Sequence, residues 1–211
     1  MRNELKLLLP AVVIFLAAGC SSGSDGEGTG EQVGKPLDRI CGGIFARGGT
    51  VTAALEALVD GTAVTDEASQ PEAALKALTA PGEGKGVEGA PFCRVQAAGS
   101  GEWFFNIDVR QASAVPSGDD DMGGDLTYFS TGELASSTDS FAALYFKCRP
   151  NAGGREIIVN AELEQLDEGA GTGKGIRVDQ MTVLNAAAQK IAENVRCGET
   201  KLVEGVPRMA G

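Results

Sequence analysis

Trp103-Phe104-Phe105-Asn106-Ile107-Asp108-Val109-Arg110 alternates in polarity with a period of two. Trp103, Phe105, Ile107 and Val109 fall on one side, and Phe104, Asn106, Asp108 and Arg110 on the other. Successive side chains of an extended chain point to opposite faces, so the stretch predicts a strand with one dry face. Ile157, Val159, Ala161 and Leu163 repeat the pattern against Glu156, Asn160 and Glu162. Phe141 to Cys148 is apolar on both sides and predicts a central strand, while Leu126 to Thr131 is a shorter candidate.

Around these strands the period becomes helical. Val51, Ala54, Leu55, Leu58 and Val59 make one apolar stripe, with Thr50 placed to cap it and Gly61 to end it. Ser69 and Glu72 have capping-box spacing around Pro71, which suits a first turn, and Pro81-Gly82 stops that helix. Met181, Leu184, Ala187, Ala188, Ile191 and Val195 form a last amphipathic stripe, capped by Asp179 and ending near Cys197. The expected class is α+β. Short N-terminal helices precede an antiparallel sheet of four or five strands, and a C-terminal amphipathic helix packs on it.

Ahead of the domain, Arg2 and Lys6 flank a short basic start, and Leu7 to Ala18 is an apolar run broken by Pro10. Such a run is shorter than the roughly 20 residues that span a bilayer and has the length of a signal-peptide core. It ends Leu16-Ala17-Ala18-Gly19-Cys20, where small residues precede a thiol. This stretch resembles the lipobox of bacterial lipoproteins, although Ala17 stands where that family usually has Leu. The resemblance implies that residues 1–19 are a leader and that Cys20 carries a diacylglycerol, with both acyl chains holding the protein to the outer face of a cell membrane. Residues 20–39 are Ser-, Gly- and acid-rich and read as a tether, with a reach of about 24 Å at roughly 5–6 Å per root residue. Residues 40–211 are then a single extracytoplasmic domain.

Residues 1–19 hold Arg2, Glu4 and Lys6, a net +1, so removing them takes the formal charge from −11 to −12. That balance argues against nucleic acid and against adsorption to anionic lipid, leaving covalent lipid as the contact with the membrane. With Cys20 assigned, Cys41, Cys93, Cys148 and Cys197 remain, an even number that implies two disulfides in an exported chain. Pairing of Cys41 with Cys93 and of Cys148 with Cys197 is favoured. The nested pairing, Cys41–Cys197 with Cys93–Cys148, stays open.

Cys41 before a short helix, Phe92-Cys93, Leu144-Tyr145-Phe146-Lys147-Cys148 and a final helix from Met181 to Cys197 resemble small actinobacterial lipoproteins of unknown function. The resemblance implies export and disulfides and carries no catalytic residue across. A fainter echo runs within the chain. Cys93-Arg94 and Cys148-Arg149 are each followed by a Gly turn and an alternating strand, a grammar that unrelated hairpins share.

The chain contains no histidine, which removes Ser-His and Cys-His nucleophile pairs, His-ligated metals and the usual general base. Ser-x-x-Lys is missing as well, and residues 40–211 hold no Gly-x-Ser-x-Gly elbow. Gly84-Lys85-Gly86-Val87-Glu88-Gly89 has the letters of a dinucleotide fingerprint but follows a proline and precedes a strand, so it reads as a loop. Gly169 to Gly175 misses the ends of a phosphate loop, and Asp119 to Asp125 reads as a solvated acidic turn rather than a Ca²⁺ loop. Glu102, Asp108, Glu156 and Glu162 supply carboxylates, but paired-carboxylate hydrolysis needs one with a burial-raised pKa. No metal, cofactor or catalytic residue is expected. The expected function is a non-catalytic module binding an envelope protein or a small ligand, and Asp108, Arg110, Asn160 and Glu162 form the candidate binding face. A His-free carboxylate enzyme acting on wall or exopolymer, and a plain surface spacer, are the alternatives.

Overall fold

The computed structural model describes residues 34–46, 48–80, 91–117, 126–150, 154–167 and 171–210. The leader, Cys20, most of the tether, the Gly84–Gly89 loop, the acidic Asp119–Asp125 stretch and Gly169 lie outside the described residues. Among the described residues there are three α-helices, α1 (Gly49–Leu58), α2 (Pro71–Thr79) and α3 (Lys174–Asn194). Seven strands accompany them: β1 (Val64–Thr65), β2 (Cys93–Ala97), β3 (Trp103–Ala112), β4 (Thr127–Tyr128), β5 (Leu134–Ser137), β6 (Phe141–Cys148) and β7 (Ile157–Gln165). All neighbours are antiparallel, in the order β1-β2-β3-β7-β6-β5-β4. The α+β class therefore holds, and the count rises from the expected four or five strands to seven.

The additional strands are the short ones. β1 has two residues and β5 four, too few to display an alternation, and the Leu126–Thr131 candidate shrinks to the two residues of β4. β7, not β6, occupies the middle of the order. Cys93 opens β2 whereas Cys148 closes β6, so the internal echo is not a structural repeat.

All three helices lie on one side of the sheet. The row Ile107–Leu163–Ala142–Ser137 is fixed by register, and the Ser137 hydroxyl donates to Gln180 of α3 at 2.7 Å. Gln165, in phase with Leu163, donates to the Leu58 carbonyl at the end of α1 at 3.3 Å. Gln111, in phase with Ile107, donates to the Leu78 carbonyl of α2 at 2.6 Å. Between these layers sit the fully buried Phe105, Ile107, Leu144, Phe146, Leu163, Met181 and Leu184.

The expected caps are replaced by longer-range contacts. Thr50 lies inside α1, which begins at Gly49. Pro71 does open α2, but the Ser69 hydroxyl accepts from the Arg94 amide of β2 at 2.8 Å instead of capping the helix. α3 begins at Lys174, five residues ahead of Asp179, because its first turn is held by Asp139 from the β5–β6 turn. The Asp139 carboxylate accepts from the Gly173 amide at 3.0 Å and from Arg177 Nε at 2.7 Å. Those donors hold its carboxyl below the usual range, the Arg177 bond being the larger cause. That support is full above the ordinary aspartate pKa and fades as pH falls through the lowered one. Nor is α3 amphipathic: Arg177, Gln180, Thr182 and Asn185 are buried with its apolar residues.

Both ends of the described chain close the sheet. Lys35 pairs with Val64 of β1, so folded contacts begin five residues before the expected domain start at 40. Met209 pairs with Phe129, beside β4. Disulfides join Cys41 to Cys93 and Cys148 to Cys197, closing separations of 52 and 49 residues. The first ties a 3-10 turn (Leu37–Gly42) to β2, and the second ties the end of β6 to the residues after α3. Cys41 takes a left-handed backbone with φ of 51°, held by its amide donating to the buried Asp66 carboxylate, on which Lys35 also sits. Peptide mapping without reductant should recover these two links, and a nested pair would refute the topology. Replacing Cys148 and Cys197 together by Ser should lower unfolding free energy by about 2–4 kcal/mol in urea titration.

Candidate functional site

The face turned away from the helices carries the residues that the alternation marks as polar. Asp108 stands opposite Glu162, and Arg110 opposite Asn160, across the β3–β7 seam. The four expected residues thus come together as one patch. Register extends the patch with residues that the sequence did not single out: Tyr145 beside Asn160, Glu164 opposite Asn106, and Arg94 of β2 on the other flank of Asn106. Asn106 and Glu164 could have been found by carrying the period of two one step further. Tyr145 and Arg94 needed the strand order.

Arg110 donates to the Glu162 carboxylate in a close ion pair. Asn160 Nδ2 donates to the same carboxylate at 2.8 Å and lies 3.2 Å from the Tyr145 hydroxyl. Asn106 Nδ2 donates to Asp108 at 3.2 Å. The Arg94 guanidinium rests on the Trp103 ring, 5.2 Å from its centre. Asn106 and Asn160 are 7% and 2% exposed, so the polar side of the strand is deeper than alternation implied.

These bonds leave acceptors over. A carboxylate only accepts, so each amide must turn its NH₂ toward its acid, which fixes the opposite direction for the carbonyl oxygen. The Oδ1 atoms of Asn106 and Asn160 then find no donor among the described residues, although both are shut off from solvent. An unmet buried carbonyl costs about 1–3 kcal/mol, and folds retain few of them. Arg94 Nε is likewise buried without an acceptor among the described residues.

Burial raises the Asp108 carboxyl above the usual aspartate range; Arg94 opposes this, while Glu162 and Glu164 push the same way as burial. The Tyr145 hydroxyl is also raised, by burial and by Glu162. The other carboxylates weighed in the sequence stand elsewhere. Glu102 precedes β3 in the hairpin turn, and Glu156 pairs with Arg149 at 3.3 Å beside the β6–β7 connection. Among the described residues no three acidic, His or Cys side chains gather as a metal site. A cavity of about 780 Å³ runs between the end of α2, Gln111, Ile157 and Val195, and neither Asp108 nor Glu162 lines it.

No family model, curated protein or solved structure matches the chain, so the face is read from its own chemistry.

A carboxyl whose folded pKa lies above its unfolded value weakens folding once it is ionised, and the penalty disappears as pH falls toward the unfolded value. Asp108→Asn should therefore raise the thermal midpoint near pH 7 by a few degrees, with the gain vanishing in acid. A lower midpoint at neutral pH would show that the Asp108 charge is structural.

Proposed function

We propose that the protein is a lipid-anchored extracytoplasmic lipoprotein, of the kind its lipobox and four further cysteines resemble, and that its domain is a non-catalytic binding module. One observation supports the binding role above the rest. The three described helices take the same side of the sheet, and the opposite side presents Asp108, Arg110, Asn160 and Glu162 together with buried acceptors that no described neighbour fills. Groups kept at a cost to stability, around a carboxyl with a displaced pKa, mark functional surfaces more often than plain solvated ones. The anchor and tether would hold that face just outside the lipid headgroups, where an envelope protein or small ligand is within reach.

Crosslinking on intact cells tests the reading. A double charge reversal, Arg110→Glu with Glu162→Arg, should change the set of captured neighbours, and an unchanged set would remove the face from the proposal. In the same cells labelled fatty acid should enter the wild type and not Cys20→Ala; label in both would overturn the anchor.

A second reading keeps one supporting observation. Asp108 and Glu162 are cross-strand partners, whose Cβ atoms stand about 4.5–5.5 Å apart in such pairs. One of the pair is pushed toward the protonated form while the other is held by Arg110 and Asn160. An acid beside a fixed carboxylate is the equipment of a glycosidase, and retaining enzymes set the two carboxyls about 5–5.5 Å apart. Turnover of nitrophenyl glycosides, abolished by both Asp108→Asn and Glu162→Gln, would establish it. Absence of turnover leaves the binding module.

A further inference from the structure

We infer that the cavity between the end of α2, the end of β3, the start of β7 and the end of α3 is a second site, built for an anion carried on an apolar tail. It goes beyond the outer-face reading and does not depend on it. Gln111 and Ile157 line the cavity in phase with Ile107 and Leu163, which places it on the helix side of the sheet.

The floor of the cavity is apolar. Leu78 and Val195 belong to the core, while Leu75 and Ile157 pack against that core and stay partly open. These four line a space of about 780 Å³, within the range of roughly 300–1,000 Å³ that small-molecule sites occupy. Two clamps hold its walls apart. The Gln111 side chain donates to the Leu78 and Ala80 carbonyls at 2.6 and 3.3 Å, tying the end of α2 to β3. The Cys148–Cys197 bond joins the wall at Pro150 to the wall at Val195, each two residues from its cysteine. Walls already tied need little reordering to admit a ligand, which favours binding.

The charge at this cavity is opposite to that of the chain. Against 29 acids and 18 Lys and Arg overall, the ionisable residues lining it among those described are Lys76 and Arg155, with no carboxylate. Glu72, one turn earlier on α2, neither lines the cavity nor pairs with Lys76. Glu156, next to Arg155, pairs with Arg149 and lines a different hollow. Both cations are exposed, whereas Leu78 and Val195 are deep. A carboxylate or phosphate satisfies the cations while an alkyl tail covers the floor. A cationic amphiphile satisfies only the floor, and a small anion only the cations. Fatty acids and the phosphate of a single-chain lipid share the required chemistry.

Calorimetry tests the site on the disulfide-intact protein, titrated below micellar concentration with decanoate and separately with decyl phosphate. Saturable one-to-one binding is expected, with the methyl resonances of Leu75, Leu78 and Ile157 shifting in step. Shortening the tail from ten carbons to eight should weaken binding roughly tenfold. Lys76→Glu and the cavity-filling Ala80→Trp, both at exposed positions, should each weaken it at least tenfold. Lys174→Glu, an equal charge change at the start of α3, should leave it unchanged. Decanoate alone binding identifies a carboxylate ligand, decyl phosphate alone a phosphate headgroup, and both together recognition of the amphiphilic anion; each supports the inference. No saturable response, equal binding of acetate or decyltrimethylammonium, an equal loss in Lys174→Glu, or an unchanged affinity in Lys76→Glu and Ala80→Trp would overturn it. Arg110→Glu with Glu162→Arg should bind both probes as the wild type does. Loss of binding there would move the amphiphile to the outer face and remove this site. Cell-surface capture that ignores the outer face removes only the earlier reading, and saturable decanoate binding in the same protein still supports this one.

Discussion

α3 buries thirteen of its 21 residues, polar ones among them, and the rest of the domain is arranged to make that tolerable. Its apolar residues press on β5, β6 and β7 and on α1, while its buried polar groups each need a partner. Gln180 meets Ser137 and the Asp139 carbonyl, and Asn185 meets Thr131 and the Val203 carbonyl. Arg177 meets Asp139 and Thr127. Partners come from the β4–β5 and β5–β6 turns and from the C-terminal tail, so one helix dictates the course of three otherwise irregular segments. A satisfied buried network of this sort specifies one packing more sharply than apolar contact does.

Because that helix and the two shorter ones all crowd one side, the sheet is left with an outer face built from the alternate residues of the same strands. In β3 and β7 this separates Ile107, Val109, Ala161 and Leu163 from Asp108, Arg110, Asn160 and Glu162. The packed core and the polar face proposed for binding thereby lie on opposite sides of one layer. A residue can be tuned on the outer face without repacking the core, which makes room for unmet carbonyls and a displaced carboxyl there.

Period two on β3 and β7 and period 3.6 on α1 were written in the sequence, and they were enough to bring four face residues together. Where the reading departed from the structure, a distant contact had overridden a local signal. Asp179 had the look of a cap, but Asp139, far away in sequence, holds the helix start five residues earlier. Ser69 had the spacing of a capping box, yet its hydroxyl is taken by β2. β1 and β5 were invisible because two and four residues are too few to show a period. Tyr145 belongs to the face only because β6 lies against β7 with Asn160 opposite it. Strand order is a non-local fact, and no window of sequence contains it.

The way the N-terminal segment enters the fold bears on how the domain withstands pulling. Lys35 and Cys41 are the first described points of attachment, and Cys41 is bonded covalently to Cys93, the first residue of β2. Tension arriving along the chain from the side of residue 34 meets the weak Lys35–Val64 bridge first and then passes through the Cys41–Cys93 bond. The chain between those two cysteines, including α1, α2 and β1, is bypassed and cannot be drawn out while the bond is intact. Load is delivered instead to β2, whose ladder with β3 must shear for the sheet to part. A domain pulled from that side would keep its outer face in register, and a reductant would convert the same tug into progressive unravelling from the N-terminal end.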